Sequence, residues 1–135
     1  MIFLDTSAIY ALADVADPNH GQVKEQFRRA LEAGEAILTH NYILVESMAL
    51  IQKRLGLRAA THFARDVKAF EVVWVDEPMH DEAAARLETT GKRGVSLVDQ
   101  VSFLVMKKHG IRTALALDPD FLVAGFRLYG APGSV

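Results

Sequence analysis

MIFLDTSAIYAL, residues 1–12, runs four apolar residues into an acid, Asp5, and returns to apolar character at Ala8, Ile9, Ala11 and Leu12. The opening run is too short for a helix and long enough for a buried strand, and Thr6 or Ser7 can cap whatever follows. The segment therefore reads as a strand feeding a helix, with a carboxylate at the junction. An ionised carboxylate taken out of water without a partner costs several kcal/mol, so Asp5 calls for a hydrogen-bonded, protonated or cation-bound state.

Outward from this junction the same alternation recurs. DPNHGQVKEQFRRALEAG (17–34) places Val23, Phe27, Ala30 and Leu31 at helical spacing and closes on Gly34. EAILTH (35–40) reads as a strand, NYILVESMALIQKRL (41–55) as a helix closed by Gly56, and LRAATHFARDVKAF (57–70) as a further helix. FEVVWVD (70–76) reads as a strand, EPMHDEAAARLETTG (77–91) as a polar-faced helix, and VSLVDQVSFLVMKKHG (95–110) as a helix starting at Ser96 and stopping at Gly110. IRTALALD (111–118) is a strand, PDFLVAG (119–125) one helical turn and FRLYG (126–130) a last strand. Strands alternating with helices of these lengths imply crossovers and a mainly parallel sheet covered on both faces. The expected class is α/β, a three-layer α/β/α sandwich built as one domain over residues 1–135, with no internal repeat or low-complexity segment.

Composition narrows the function classes. The chain has 135 residues, 50% hydrophobic and 24% charged, enough for one core. No cysteine is present, which removes disulfides and thiolate zinc sites and fits a reducing compartment, the cytoplasm. The five histidines show no zinc spacing and read as surface or capping residues. The opening run is broken by Asp5 and lacks a basic flank, so neither a signal peptide nor a membrane span is expected there. Fifteen basic against seventeen acidic residues give a net charge of −2, which taken whole argues against nucleic-acid binding. Gathering several acids in one cation site leaves the remaining surface positive.

Four acids stand in apolar surroundings: Asp5, Glu46 in YILVESMALI, Asp99 in SLVDQVSFLVM, and Asp118 at the end of IRTALALD. The carboxyl ends of parallel strands share one edge, where ligand sites form. Asp5 and Asp118 on neighbouring strands, about 4.8 Å apart, can bring oxygens within roughly 4 Å, a span one Mg2+ bridges. Glu46 and Asp99 lie on helices that are apolar nearly all round, and such helices are normally buried. Each acid also has a purely structural role open to it: Asp5 as an N-cap, Glu46 as a partly exposed helix acid, Asp99 in a capping box begun by Ser96, Asp118 as a turn acid before Pro119.

The ordered set FLDTSAIYAL, NYILVESMALIQKRLG, GVSLVDQVSFLVMKKHGI and ALALDPDF with GFRLYG spans nearly the whole chain and resembles the PIN-domain family, especially its VapC-like toxins. The resemblance implies a metal-dependent endoribonuclease with Mg2+ or Mn2+ held by Asp5, Glu46, Asp99 and Asp118, which match the family's acids. It also implies an RNA substrate, a cognate antitoxin and a homodimer, with no membrane association. Asp120 aligns where many relatives carry another residue, and its role stays open. The family often has a hydroxyl residue two positions before the fourth acid, where this chain has Ala116; Thr6 and Ser7 are the hydroxyls available from the other side.

GKRG (91–94) precedes the Asp99 helix, so Lys92 and Arg93 are candidates to grip substrate phosphates, against the alternative of an ordinary solvated loop. Two other readings compete. A haloacid-dehalogenase-like phosphohydrolase also opens with an apolar strand ending in Asp, but requires a second Asp where Ser7 stands, and no later lysine motif is evident. A PIN-like module that binds RNA or a partner without cutting would keep the fold and lose the turnover.

Overall fold

Ile2, Phe3 and Leu4 are all but inaccessible to solvent, as an uninterrupted apolar strand covered on both faces must be. They form β1, the middle strand of the sheet, in a computed structural model that describes residues 1–130. The chain continues as α1 (Thr6–Ala13), α2 (His20–Glu32), β2 (Ile37–His40), α3 (Asn41–Leu55) and α4 (Leu57–Asp66), with a 3-10 turn at Val67–Ala69. It then forms β3 (Glu71–Val73), α5 (Glu77–Thr90), α6 (Leu97–Lys108), β4 (Thr113–Leu115), α7 (Asp120–Val123) and β5 (Arg127–Leu128). The strand order is β3-β2-β1-β4-β5 and every pairing is parallel, so the expected mainly parallel sheet is wholly so among the described residues. Helices α1 to α4 pack on one another and α5 pairs with α6, giving the three-layer α/β/α arrangement.

The topology selects the site before any side chain is considered. From β1 the chain builds β2 and β3 outward on one side, then returns to lay β4 and β5 on the other. The order therefore reverses between β1 and β4, which pair through Phe3 with Ala114 and Leu4 with Leu115. Beyond the carboxyl ends of two strands at such a reversal, the connections diverge to opposite sides and leave a crevice.

Three sequence expectations are corrected. β3 stops at Val73 because the Val75 amide donates to Asn41 Oδ1 (2.7 Å) and Asp76 turns to cap α5, leaving Trp74 in solvent. β4 ends at Leu115, so Asp118 lies three residues beyond the strand, in the turn leading to α7. α3 is not buried all round: Ile43, Ser47 and Ile51 form its single buried stripe, while Val45 is 69% exposed. Spacing of four residues is one helix face, and the apolar residues between them point outward. α6 does behave as expected, with Gln100 through Met106 all buried. Between α3 and α4, Gly56 takes φ +97°, a conformation a side chain would strain, which lets one helix follow another directly.

Candidate active site

Asp5 leaves β1 with extended backbone and caps α1. Its Oδ2 accepts the Ser7 amide (3.1 Å) and the Ser7 hydroxyl (2.6 Å). The Ser7 Oγ in turn accepts the Leu117 amide (2.9 Å), tying the end of β1 to the chain leaving β4. The N-cap role was one of the two open for Asp5; the structure shows it, and it occupies one carboxylate oxygen. Asp5 is only 5% exposed, and burial pushes its carboxyl up to about 6; the Ser7 bonds oppose that rise and the nearby Asp99 and Glu46 charges add to it.

Asp99 is likewise the acid of a capping box. Its Oδ2 accepts the Ser96 amide (2.9 Å) while Ser96 Oγ accepts the Asp99 amide (3.2 Å). Asp118 is held by a different device: its Oδ1 accepts the Asp120 amide (2.9 Å), an Asx turn across Pro119. Burial raises the Asp118 carboxyl above its usual range, and the neighbouring Asp120 and Asp99 charges push the same way. With Leu117 fixed by Ser7 and Asp118 by Asp120, the exit from β4 is oriented although Ala116 offers no hydroxyl.

One oxygen from each of Asp99, Asp118 and Asp120 lies within 4.8 Å of the others. Asp120, whose role the sequence left open, thus joins the cluster, because the Asx turn folds its α7 back beside Asp118. Asp5 and Glu46 stand outside this set of mutually close oxygens. Asp5 points its capping oxygen at α1, and Glu46 is an exposed residue of α3, so the premise that all four acids are buried holds for Asp5 alone. Both remain within electrostatic reach, since Asp5 feels the charges of Glu46 and Asp99. The acids are therefore grouped around Asp99 at the crevice between β1 and β4. Partly buried carboxylates this close repel one another, and an all-oxygen donor set with this spacing suits a hard divalent cation.

Thr6 does not reach the acids: its hydroxyl accepts from Ser47 (3.3 Å) inside the α1–α3 contact. Lys92 and Arg93 are both exposed, but Lys92 lines a cleft that ends at Asp120, and Arg93 does not. The loop bearing them starts at Gly91, where a Cβ would lie 1.9 Å from the Leu87 carbonyl oxygen, so only glycine lets the chain leave α5 so tightly. His40, one of the histidines expected at caps, is fully buried and caps α3; its Nδ1 accepts the Ile43 amide (3.3 Å), so Nε2 carries the proton and donates to Ser102 Oγ (2.8 Å). An apolar cavity of about 670 Å³ lies elsewhere, between α1, α2 and α4, and none of the clustered acids lines it.

Comparison with known proteins agrees with this geometry. The PIN domain family profile matches residues 2–127. The 23S rRNA-specific endonuclease VapC20 of Mycobacterium tuberculosis is 38% identical over 128 residues, 93% of this chain and 95% of that protein. Ribonuclease VapC26 of the same organism is 24% identical over 119 residues, covering 87% of this chain and 86% of its own. In three dimensions the crystal structure of VapC20, described as a Sarcin-Ricin loop cleaving toxin, superposes with a TM-score of 0.82 at 36% identity, over 93% of this chain and 96% of that one. FitAcB from Neisseria gonorrhoeae shares the fold at 19% identity, with a TM-score of 0.64 over 96% of this chain and 97% of its own. The sheet reversal, the acids gathered over it and these matches lead to one assignment: the chain belongs to the PIN-domain family and, within it, to the VapC-type ribonucleases.

Proposed function

We propose that the protein is a Mg2+- or Mn2+-dependent endoribonuclease that cuts a looped, single-stranded segment of ribosomal RNA, and that it is the toxin of a toxin–antitoxin pair acting in the cytoplasm. The observation that carries the reading is the convergence of Asp99, Asp118 and Asp120 beside buried Asp5. The ribosomal target is transferred from the relative named for 23S rRNA, which aligns over 93% of this chain. No helix among the described residues is long and apolar enough to cross a membrane.

In this proposal Asp99, Asp118 and Asp120 hold the cation, Asp5 adds charge from beneath, and Glu46 closes the set from α3. When bound, the cation supplies a water of lowered pKa and stabilises charge on the attacked phosphate. The chain's own residues do the positioning. Ser7 fixes the Asp5 carboxylate and the β4 exit together, so that the acids from β1 and β4 keep one relative geometry. The Ser96 box sets the rotamer of Asp99, and the Asx turn sets that of Asp118. Lys92, and Arg93 beside it, attract substrate phosphate at the mouth. A homodimer and an antitoxin follow from the VapC relationship; the outward Val45 and Trp74 are large apolar groups that a second chain would cover.

The test is cleavage of a 23S rRNA Sarcin-Ricin loop hairpin and of a mixed RNA panel, using the wild type and Asp99→Asn with Mg2+, Mn2+ or excess chelator. Asparagine keeps an oxygen for the Ser96 amide, so the helix start survives. Cutting that requires divalent metal and vanishes in the variant supports the reading. Equal traces in the two proteins would leave a PIN-like binding module, the surviving alternative.

A further inference from the structure

The net charge of −2 conceals an uneven distribution of the basic residues. A cleft of about 220 Å³ begins at Asp120 and is bordered by Arg86 of α5, Lys92 of the following loop and Lys107 of α6. A second hollow, about 420 Å³, shares Lys107 and Phe126 with the first and continues to Arg112 and Arg127. Together they make one groove along α6. Gln100, Phe103 and Lys107 lie on it at intervals of three and four residues, one face of the helix. From Asp99 to Lys107 the helix advances roughly 12 Å, so the groove leads directly away from the acids.

Five cations, from α5, the loop after it, α6, the approach to β4 and β5, thus converge on this groove. Arg28, Arg29 and Lys108 pair with glutamates, yet among the described residues none of Arg86, Lys92, Lys107, Arg112 and Arg127 has an ion pair within 4.0 Å. Asp120 is the sole acid lining either hollow among those residues, and it stands where the acidic cluster begins. Unpaired like charges facing one channel destabilise each other until an anion with repeated charges lies between them.

Resting on the ribonuclease reading, we infer that this groove holds the phosphates of a single RNA strand on one side of the scissile bond, with Arg86, Lys107 and Arg112 as the principal contacts. Asp120 marks the boundary between the gripped strand and the cutting site.

The test uses a labelled, unstructured oligoribonucleotide titrated into wild type and into an Arg86→Gln, Lys107→Gln, Arg112→Gln triple variant, with chelator present so that binding is read without cleavage. Folding of each is checked by thermal melting, and Lys24→Gln on the distant α2 is the control. For single strands each lost phosphate contact lowers the slope of log K against log salt by about 0.7, so the triple variant is expected to lose roughly 2 from that slope. The same three positions with charge kept, Arg86→Lys, Lys107→Arg and Arg112→Lys, are expected to restore it. In cleavage, KM should fall as the oligonucleotide is lengthened on one side of the cut, in wild type and not in the triple variant. A triple variant with the wild-type slope and length dependence, while wild type still cuts, overturns the groove alone. The groove is also overturned if the variant loses binding of polyglutamate but not of RNA, which would make it a protein dock. Wild type that neither binds nor cuts RNA removes the ribonuclease reading and the groove together.

Discussion

Asp5 serves two purposes that pull in opposite directions. As an N-cap it needs only an oxygen; as a charge it is buried beside Asp99 and Glu46, and the two Ser7 hydrogen bonds offset only part of that burial. Its folded pKa, about 6, lies above the ordinary 3.8, so the folded state binds more protons between those values. The contribution therefore stabilises at low pH and is lost as pH rises through about 6. Asp5→Asn keeps the cap and removes the charge, and should raise the melting temperature of metal-free protein at pH 8 by an amount equivalent to up to about 3 kcal/mol. The gain should vanish near pH 4; a gain independent of pH would mean the carboxylate is not under this strain. His40 carries the opposite sign. Burial pushes it down to about 3, so the unfolded chain binds the extra proton below about pH 6.5. Stability should fall there by up to about 1.4 kcal/mol per pH unit, and a His40→Gln protein followed by denaturant titration should lack that part of the slope.

At the scale of elements, α6 separates two functions that share a turn. The Ser96 hydroxyl caps the helix, whereas the Asp99 side chain both reaches back to the cap and faces the acids. Ser96→Ala should cost about 1 kcal/mol in denaturant unfolding while leaving metal-dependent cleavage close to wild type, because Asp99 Oδ2 still has the residue 96 amide. Asp99→Asn should do the reverse. Comparable loss of activity in both would mean that the cap, not the charge, is what the site needs. The elements also show where sequence reading succeeds. β1 and α6 were legible because their apolar runs are buried as written, with Asp5 directly after the strand and Asp99 in the first turn of the helix; β4 was legible as a strand but not in its end, since the chain leaves it at Leu115 and carries Asp118 into a turn. α3 was not, since nothing in NYILVESMALI distinguishes Ile43 and Ile51, which pack inward, from Val45, which faces solvent. Asp120 was not legible either: its place is set by a turn through Pro119, and the basic groove draws Arg86, Arg112 and Arg127 from elements far apart in the chain.

For the whole molecule, a cation held by residues from several elements binds the folded state and not the unfolded one. Added Mn2+ should therefore raise the melting temperature in a concentration-dependent way, by about 2.7 kcal/mol of stability when free metal is a hundredfold above its Kd. An Asp99→Asn, Asp118→Asn double variant should show little of this rise, and an equal rise in both proteins would place the cation elsewhere.

The Ser7 bridge to Leu117 spans 110 residues of chain, and the β1–β4 pairing spans a comparable distance. During synthesis, Asp5 and Glu46 leave the ribosome long before Asp99, Asp118 and Asp120 have been made. No nascent chain shorter than about this separation can assemble the crevice, however well its first helices fold. A ribonuclease built this way stays inactive on the ribosome that is making it until β4 and the turn carrying Asp118 and Asp120 have emerged.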